Sequence, residues 1–302
     1  GYEYFDATWG CSDTQGGYAI RSAIETDGKN VNFLNCEFSD IEQTCIGYLN
    51  GASYGTVDGC HFHNCGCSSV RIGELDNTST TLPKYCVMKN CLVAYMGELH
   101  QMACGVVMGF ADHCKIEHNE ICLCPYSGIT AGHIWTTVSN GAVSNMNNCS
   151  ISYNYVRCLD GGWVNDVGMI YTLGDQHGLK LIGNIGHHLK AAWSEGLYCD
   201  NGSSGYTAKD IIIGYVTTGI QHAAGLGGND IENNIFYNVT NGITNDYATK
   251  WKSWYDADTY QGTTVKGNIF YQTQASANPT YMSKWNMTNN IFYSPAGANT
   301  LT

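Results

Sequence analysis

A short run in which an apolar residue precedes an Asn or Gly by two or three positions, with another apolar residue just after it, recurs from one end of this chain to the other. It reads FLNCEF at Asn35, TVDGCHF at Gly59, VMKNCLV at Asn90, IEHNEI at Asn119, ISYNYV at Asn154, LIGNIG at Asn184, IIIGYV at Gly214, IENNIF at Asn234, VKGNIF at Asn268 and MTNNIF at Asn290. Successive occurrences lie 20 to 35 residues apart, the spacing of a solenoid whose every repeat is one turn stacked on its neighbours. The flanks are too short and too β-branched for paired helices, and their period-2 alternation suits strands that bend at a corner. The expected fold is therefore all-β: a right-handed parallel β-helix of about ten rungs with extruded loops, forming a single domain over residues 1–302. Asn tolerates the left-handed backbone a corner demands, and stacked Asn side chains can hydrogen-bond from rung to rung. This predicts one corner column holding Asn35, Asn90, Asn119, Asn154, Asn184, Asn234 and Asn268.

Composition agrees. A chain of 302 residues is long for one compact core but suits a fold that grows by adding rungs. Only 13% of residues are charged, whereas there are 36 Gly and 21 Tyr, a balance that favours strands and tight turns. With 26 acidic against 14 basic residues the formal net charge is -12, and Arg21, Arg71 and Arg157 are the three arginines. Such a surface disfavours nucleic acid and anionic uronate polymers alike, because both need a basic stripe. A neutral polysaccharide or oligosaccharide is the better partner.

Fifteen cysteines without a paired C-x-x-C pattern argue for an oxidising compartment rather than a zinc site. Cys65 and Cys67, and Cys122 and Cys124, fall on turns and strands, and neither a metal nor another cofactor is expected. Cys36, Cys60 and Cys91 each follow a corner residue, so they should stack about 4.8 Å apart, within the Cα range of a disulfide. A Cys36–Cys60 disulfide is the expectation, with a buried thiol ladder as its alternative. No apolar run approaches the roughly 18 residues of a membrane span. The chain begins Gly1-Tyr2 rather than with Met, as a processed product would. The expected location is secreted or extracellular.

Intervals above about 30 residues imply loops leaving the rungs, and those that cluster on one side of a solenoid build its binding face. Residues 73–85, 133–148 and 246–264 are the candidates. Between Asp160 and His222 the repeat carries more polar and small residues than a rung needs. In LYCD, burying Leu197 and Cys199 turns Tyr198 and Asp200 outward, and one rung earlier Asp166 precedes VGMIYTLG. Two carboxylates on nearby rungs of one face can reach the roughly 5 to 10 Å used in glycoside hydrolysis. Asp beside Gly also caps turns, and both readings stand at this point. His177, His187, His188 and His222 could act as acid, base or sugar donors, or as structural hydrogen-bonders. Trp135, Trp163 and Trp193 could stack on sugar rings or cover the wall.

The strings YSGITAGHIW, DVGMIYTLGDQHG, GLYCDNGSSG and IQHAAG, with SSVRIGE near Ser69, resemble successive motifs of bacterial β-helix proteins related to glycoside hydrolase family 141. The resemblance spans roughly residues 30 to 240. It implies a glycan substrate and an acidic catalytic pair at Asp166 and Asp200, with Tyr126, Trp135, Gln176 and His222 lining the cleft. His133, His177, Glu195 and Tyr198 complete the candidate substrate-binding set. The sequence departs from the family pattern at His133, Asn201 and Ala223, so sugar specificity does not carry over.

Three functions fit these features: a glycoside hydrolase, a non-catalytic surface or fibre protein that binds glycans or self-assembles, and a polysaccharide lyase. The lyase needs a basic residue at its centre, and only Lys180, Lys190 and Arg157 lie near the face in question.

Overall fold

The computed structural model describes residues 16–17, 20–74, 79–132, 145–159, 164–191, 193–200, 202–222, 225–245, 262–273, 285–295 and 300–301. Residues 75–78 of the loop at 73–85, 133–144 of the loop at 133–148 and 246–261 of the loop at 246–264 lie outside them, as do His133, Trp135 and Trp163.

Three parallel sheets of nine, ten and eleven strands wind through the chain, each strand pairing with the one a rung away. This is the expected right-handed parallel β-helix of about ten rungs. The first sheet begins at Ser22–Thr26, the second at Asn32–Leu34 and the third at Glu37–Ser39. At the far end Thr300–Leu301 pairs antiparallel with Ile291–Tyr293 and closes the third sheet. That change of direction interrupts a parallel edge that could otherwise recruit another chain.

In-register stacking makes each sequence position a column. In the first sheet Ile46, Val70, Val106, Ile129, Ile170, Leu197, Ile220 and Ile243 are successive partners, all essentially buried. The third sheet stacks Phe236, Phe270 and Phe292 at 5.1 and 4.6 Å between ring centroids, each contact adding about 0.5 to 1.5 kcal/mol beyond area burial. β-branched and aromatic side chains fill this interior well because they pack on their own kind one rung away.

The corner between the second and third sheets is a two-residue turn, and it refines the single column expected from sequence. Its first position has left-handed backbone: Asn35, Asn90, His118, Tyr153 and Asn233 have φ between 52° and 58°, with Gly59, Gly183 and Gly267 in the same place. Its second position is a ladder pointing inward, held by Asn119, Asn154, Asn184, Asn234, Asn268 and Asn290, all buried. Asn35 and Asn90 thus share the corner but not the ladder, where Cys36, Cys60 and Cys91 stand instead. The two demands fall on adjacent residues, left-handed tolerance on the first and hydrogen bonding on the second.

The ladder is continuous in two runs. Asn154 Oδ1 accepts from the backbone N–H and Nδ2 of Asn119, at 3.0 Å each, and Asn184 Oδ1 does the same for Asn154 at 3.0 and 3.1 Å. Each Nδ2 also donates to a carbonyl of the second sheet, Asn154 to Ile116 and Asn184 to Ile151. Ile211 interrupts the column, and Asn234, Asn268 and Asn290 resume it.

The cysteine expectation is corrected. Every described cysteine is a free thiol, Cys36 and Cys60 included. Parallel stacking explains why: it sets Cβ atoms about 4.8 Å apart, whereas a disulfide wants roughly 3.5 to 4.5 Å. The thiols hydrogen-bond to carbonyls instead, Cys91 to Lys89 and Cys60 to Phe33, and the Sγ atoms of Cys45 and Cys65 lie 3.5 Å apart. Burial pushes the thiols of Cys91, Cys124 and Cys149 up to about 12, so they stay protonated and unreactive. These cysteines therefore lend no weight to an oxidising compartment.

Asn154→Ala should lower unfolding free energy by about 2 to 4 kcal/mol in urea melts, because it orphans the buried Asn119 N–H and the Ile116 carbonyl. An exposed change such as Asn35→Gly should stay within about 1 kcal/mol. Thiol titration in denaturant without reductant should find the cysteines free; paired cysteines would contradict the ladder.

Candidate functional site

The candidate site lies on the outward face of the first sheet. Strands Val167–Leu173, Ser194–Cys199 and Thr218–His222 lie on consecutive rungs, and register aligns Thr130, Tyr171, Tyr198, Gln221 and Thr244 in one column. Ile170 and Leu197 point inward beside them, so alternation sends Tyr171 and Tyr198 out. Both are nonetheless buried, at 1% and 8% exposure.

Two phenols link two carboxylates here. Tyr171 Oη donates to Asp200 Oδ2 at 2.5 Å, and Tyr198 Oη donates to Asp166 Oδ1 at 3.2 Å. The two rings meet edge to face with centroids 5.0 Å apart, and Tyr126 packs 6.1 Å from Tyr171. Asp200 directly follows the strand Ser194–Cys199, buried at 7% exposure, its N–H donating to the Thr172 carbonyl at 2.9 Å. Asp166 is exposed, in a left-handed turn (φ 59°) just before Val167. Tyr198 is held far above the usual phenol range by burial first and then by the negative charge of Asp200, Asp166 and Glu195. Burial and Asp200 do the same to Tyr171. Both therefore remain neutral donors, aimed at carboxylates.

Ser203 braces the same point, donating to the Thr172 carbonyl at 2.7 Å and lying 3.0 Å from Thr172 Oγ1. One rung on, Glu195, Thr218, Gln221, Asn241 and Thr244 line a cleft of about 230 Å³ with the exposed Trp193 at its rim. Within it Thr244 Oγ1 donates to Gln221 Oε1.

The remaining candidates divide. Tyr126, Tyr198, Glu195, Asp166 and Asp200 gather on or beside this face. Gln176 is fully buried and ties a turn, its Nε2 donating to the carbonyls of Leu173 and Gly174 at 2.7 Å each. Gly132 (φ 83°) makes room for it, since a Cβ there would lie 2.3 Å from that nitrogen. His177 is exposed in the following turn.

His222 is corrected outright. It pairs in register with Cys199, not Tyr198, so it faces the interior, with Nε2 3.2 Å from Asn229 Nδ2 and its ring 5.2 Å from Trp285. His133 and Trp135 lie outside the described residues. Tyr171, Thr172, Ser203 and Gln221 were absent from the sequence-derived set. The signal for Tyr171 was present in the alignment of VGMIYTL with SEGLYC, which places one tyrosine over the other.

Burial lowers the His222 imidazole to about 4. Unfolding returns it to about 6.5, so the unfolded chain binds the extra proton between those values, and stability should fall as pH drops through that window. The loss approaches about 3 kcal/mol by pH 4. Urea midpoints between pH 7 and pH 4 should show this slope, and His222→Gln should remove its share; an unchanged slope would contradict the buried neutral assignment.

No family model matches the chain, and no curated protein matches it. Solved structures do. A glycoside hydrolase superposes with TM-score 0.56 at 24% identity, over 74% of this chain and 37% of that one. A surface adhesin of Streptococcus pneumoniae gives 0.56 at 11% identity, over 93% and 65%. An alginate lyase from a Paenibacillus species gives 0.52 at 12%, over 75% and 77%. The chain thus spans about a third to two thirds of the length of the first two. Identities this low carry the fold alone: the chain is similar to parallel β-helix proteins among which glycan-active enzymes are prominent.

Proposed function

We propose that the chain is a secreted glycoside hydrolase that cleaves a neutral plant- or cell-wall-type glycan with Asp166 and Asp200 as its carboxylate pair. The observation that supports this is the phenol bridge, in which Tyr198 and Tyr171 on neighbouring rungs bind one catalytic carboxylate each. Hydrolysis needs one carboxyl to protonate the glycosidic oxygen as its bond to the anomeric carbon breaks. The second either attacks that carbon or takes a proton from the water that does. Asp166 and Asp200 are the candidates for these two roles, Asp166 open to solvent and Asp200 buried and hydrogen-bonded by Tyr171. The phenols fix both carboxyls by hydrogen bonds to charge-bearing groups, each worth about 1.5 to 3 kcal/mol.

The formal net charge of -12 favours a neutral substrate over an anionic one. The cleft at Glu195 and Trp193 extends the face along the helix axis, where a chain of sugars would run. A second reading, a glycan-binding or self-associating surface protein, draws on the likeness to a surface adhesin that covers 93% of this chain.

Reducing-end release on a panel of neutral glycans tests the proposal. Asp166→Asn and Asp200→Asn should each cut the rate by about 100- to 10,000-fold while the fold persists. Tyr198→Phe and Tyr171→Phe should cost roughly 10- to 100-fold. Full activity in Asp200→Asn would overturn the assignment, an unsaturated product would identify a lyase, and binding without turnover by the native chain would identify the surface protein.

A further inference from the structure

The third sheet holds a cluster that the hydrolytic site does not use. His61 and His63 are two apart on strand His61–Cys65, so both leave the outer face, and Glu37 is the register partner of His61 one rung away. The candidate ligand atoms of Glu37, His61 and His63 all lie within 4.8 Å of one another. His63 Nε2 is 2.8 Å from Glu37 Oε1, and the two imidazole centroids are 4.5 Å apart. From these juxtaposed donors we propose that Glu37, His61 and His63 form a binding site for a divalent transition metal of the zinc class.

Three observations support it. Two imidazoles and one carboxylate are the donor set of an open zinc site, which leaves a fourth position for water or an outside ligand. Tetrahedral bonds of about 2.0 to 2.2 Å put donors roughly 3.5 Å apart, so small side-chain rotations close the cluster without moving backbone. Phe62, between the two histidines in sequence, is fully buried and stacks on Phe38 at 4.9 Å with rings 8° from parallel. That stack fixes the register of the two strands, and with it the spacing of the three donor-bearing positions. Beside the histidines lies a hollow of about 340 Å³, also bordered by Leu92, Tyr95, Cys122 and Arg157. It gives the fourth position room for an exogenous ligand. The competing state is an imidazolium–carboxylate pair between His63 and Glu37, which needs no metal and gives His61 no role.

Purified full chain stripped with chelator, then titrated with Co²⁺ and Zn²⁺, tests the site. One Co²⁺ should bind per chain, giving tetrahedral or five-coordinate visible bands with no thiolate-to-cobalt charge transfer, and Zn²⁺ should displace it. X-ray absorption on the zinc form should show nitrogen and oxygen ligands at about 2.0 to 2.2 Å and no sulfur at about 2.3 Å. His61→Ala and His63→Ala should each weaken binding by at least the roughly 10- to 100-fold that loss of a supporting group costs. Glu37→Gln should weaken it too. These side chains are outside the core, so circular dichroism should confirm that the variants fold. No stoichiometric binding, sulfur ligation, or unchanged affinity in the His61→Ala/His63→Ala double variant would each overturn the proposal. Glycan hydrolysis does not enter the readout, so the test stands apart from the assignment of Asp166 and Asp200.

Discussion

Parallel hydrogen bonding at about 4.8 Å per rung is the constraint on which everything else in this molecule rests. It turns each sequence position into a column of like neighbours, and a residue type survives in a column only if it can pack or bond with its own kind at that distance. Aliphatic and aromatic side chains do so by contact, as in the Phe236–Phe270–Phe292 stack. Asn does so by donating and accepting at once, which is why the inward corner column runs through Asn119, Asn154 and Asn184. Cysteine can occupy the column as a thiol but is held slightly too far from its neighbour to join it.

The same spacing gathers polar groups on the outside. Polar groups on adjacent rungs meet without any loop having to bring them together, as Tyr171 and Tyr198 do in the first sheet and Glu37 and His61 do in the third. The solenoid supplies a rigid grid, and chemistry depends on which few outward positions depart from the repeat. That is also why a hydrolase, an adhesin and a lyase can share the scaffold.

The repeat was legible in the sequence because corner residues face a demand that few types satisfy. Its fine structure was less so: left-handed backbone and ladder bonding sit on neighbouring residues, and NN or GN pairs such as Asn233-Asn234 and Gly183-Asn184 blur which does which. The disulfide failed on roughly 0.3 to 1.3 Å of Cβ separation, too fine for a spacing argument built on Cα positions. Asp166, Asp200 and Tyr198 could be placed by alternation in LYCD and the motif before VGMIYTL, whereas His222 needed the register with Cys199 to show that it points inward. Tyr171 emerges only when VGMIYTL is laid over SEGLYC, and His61 and His63 stay hidden because His-Phe-His reads as a strand with polar flanks.

Under the proposed function, a glycan lies across the outward face of the first sheet, over the rungs that carry Asp166, Tyr171, Tyr198 and Asp200. The most direct measurement is a crystal structure of Asp200→Asn protein soaked with neutral cell-wall oligosaccharides. A sugar chain should run along the helix axis, with a glycosidic linkage beside residues 166 and 200 and further units toward Trp193 and Glu195. A sugar bound to the second or third sheet, or none on this face at concentrations that saturate the native chain, would contradict it.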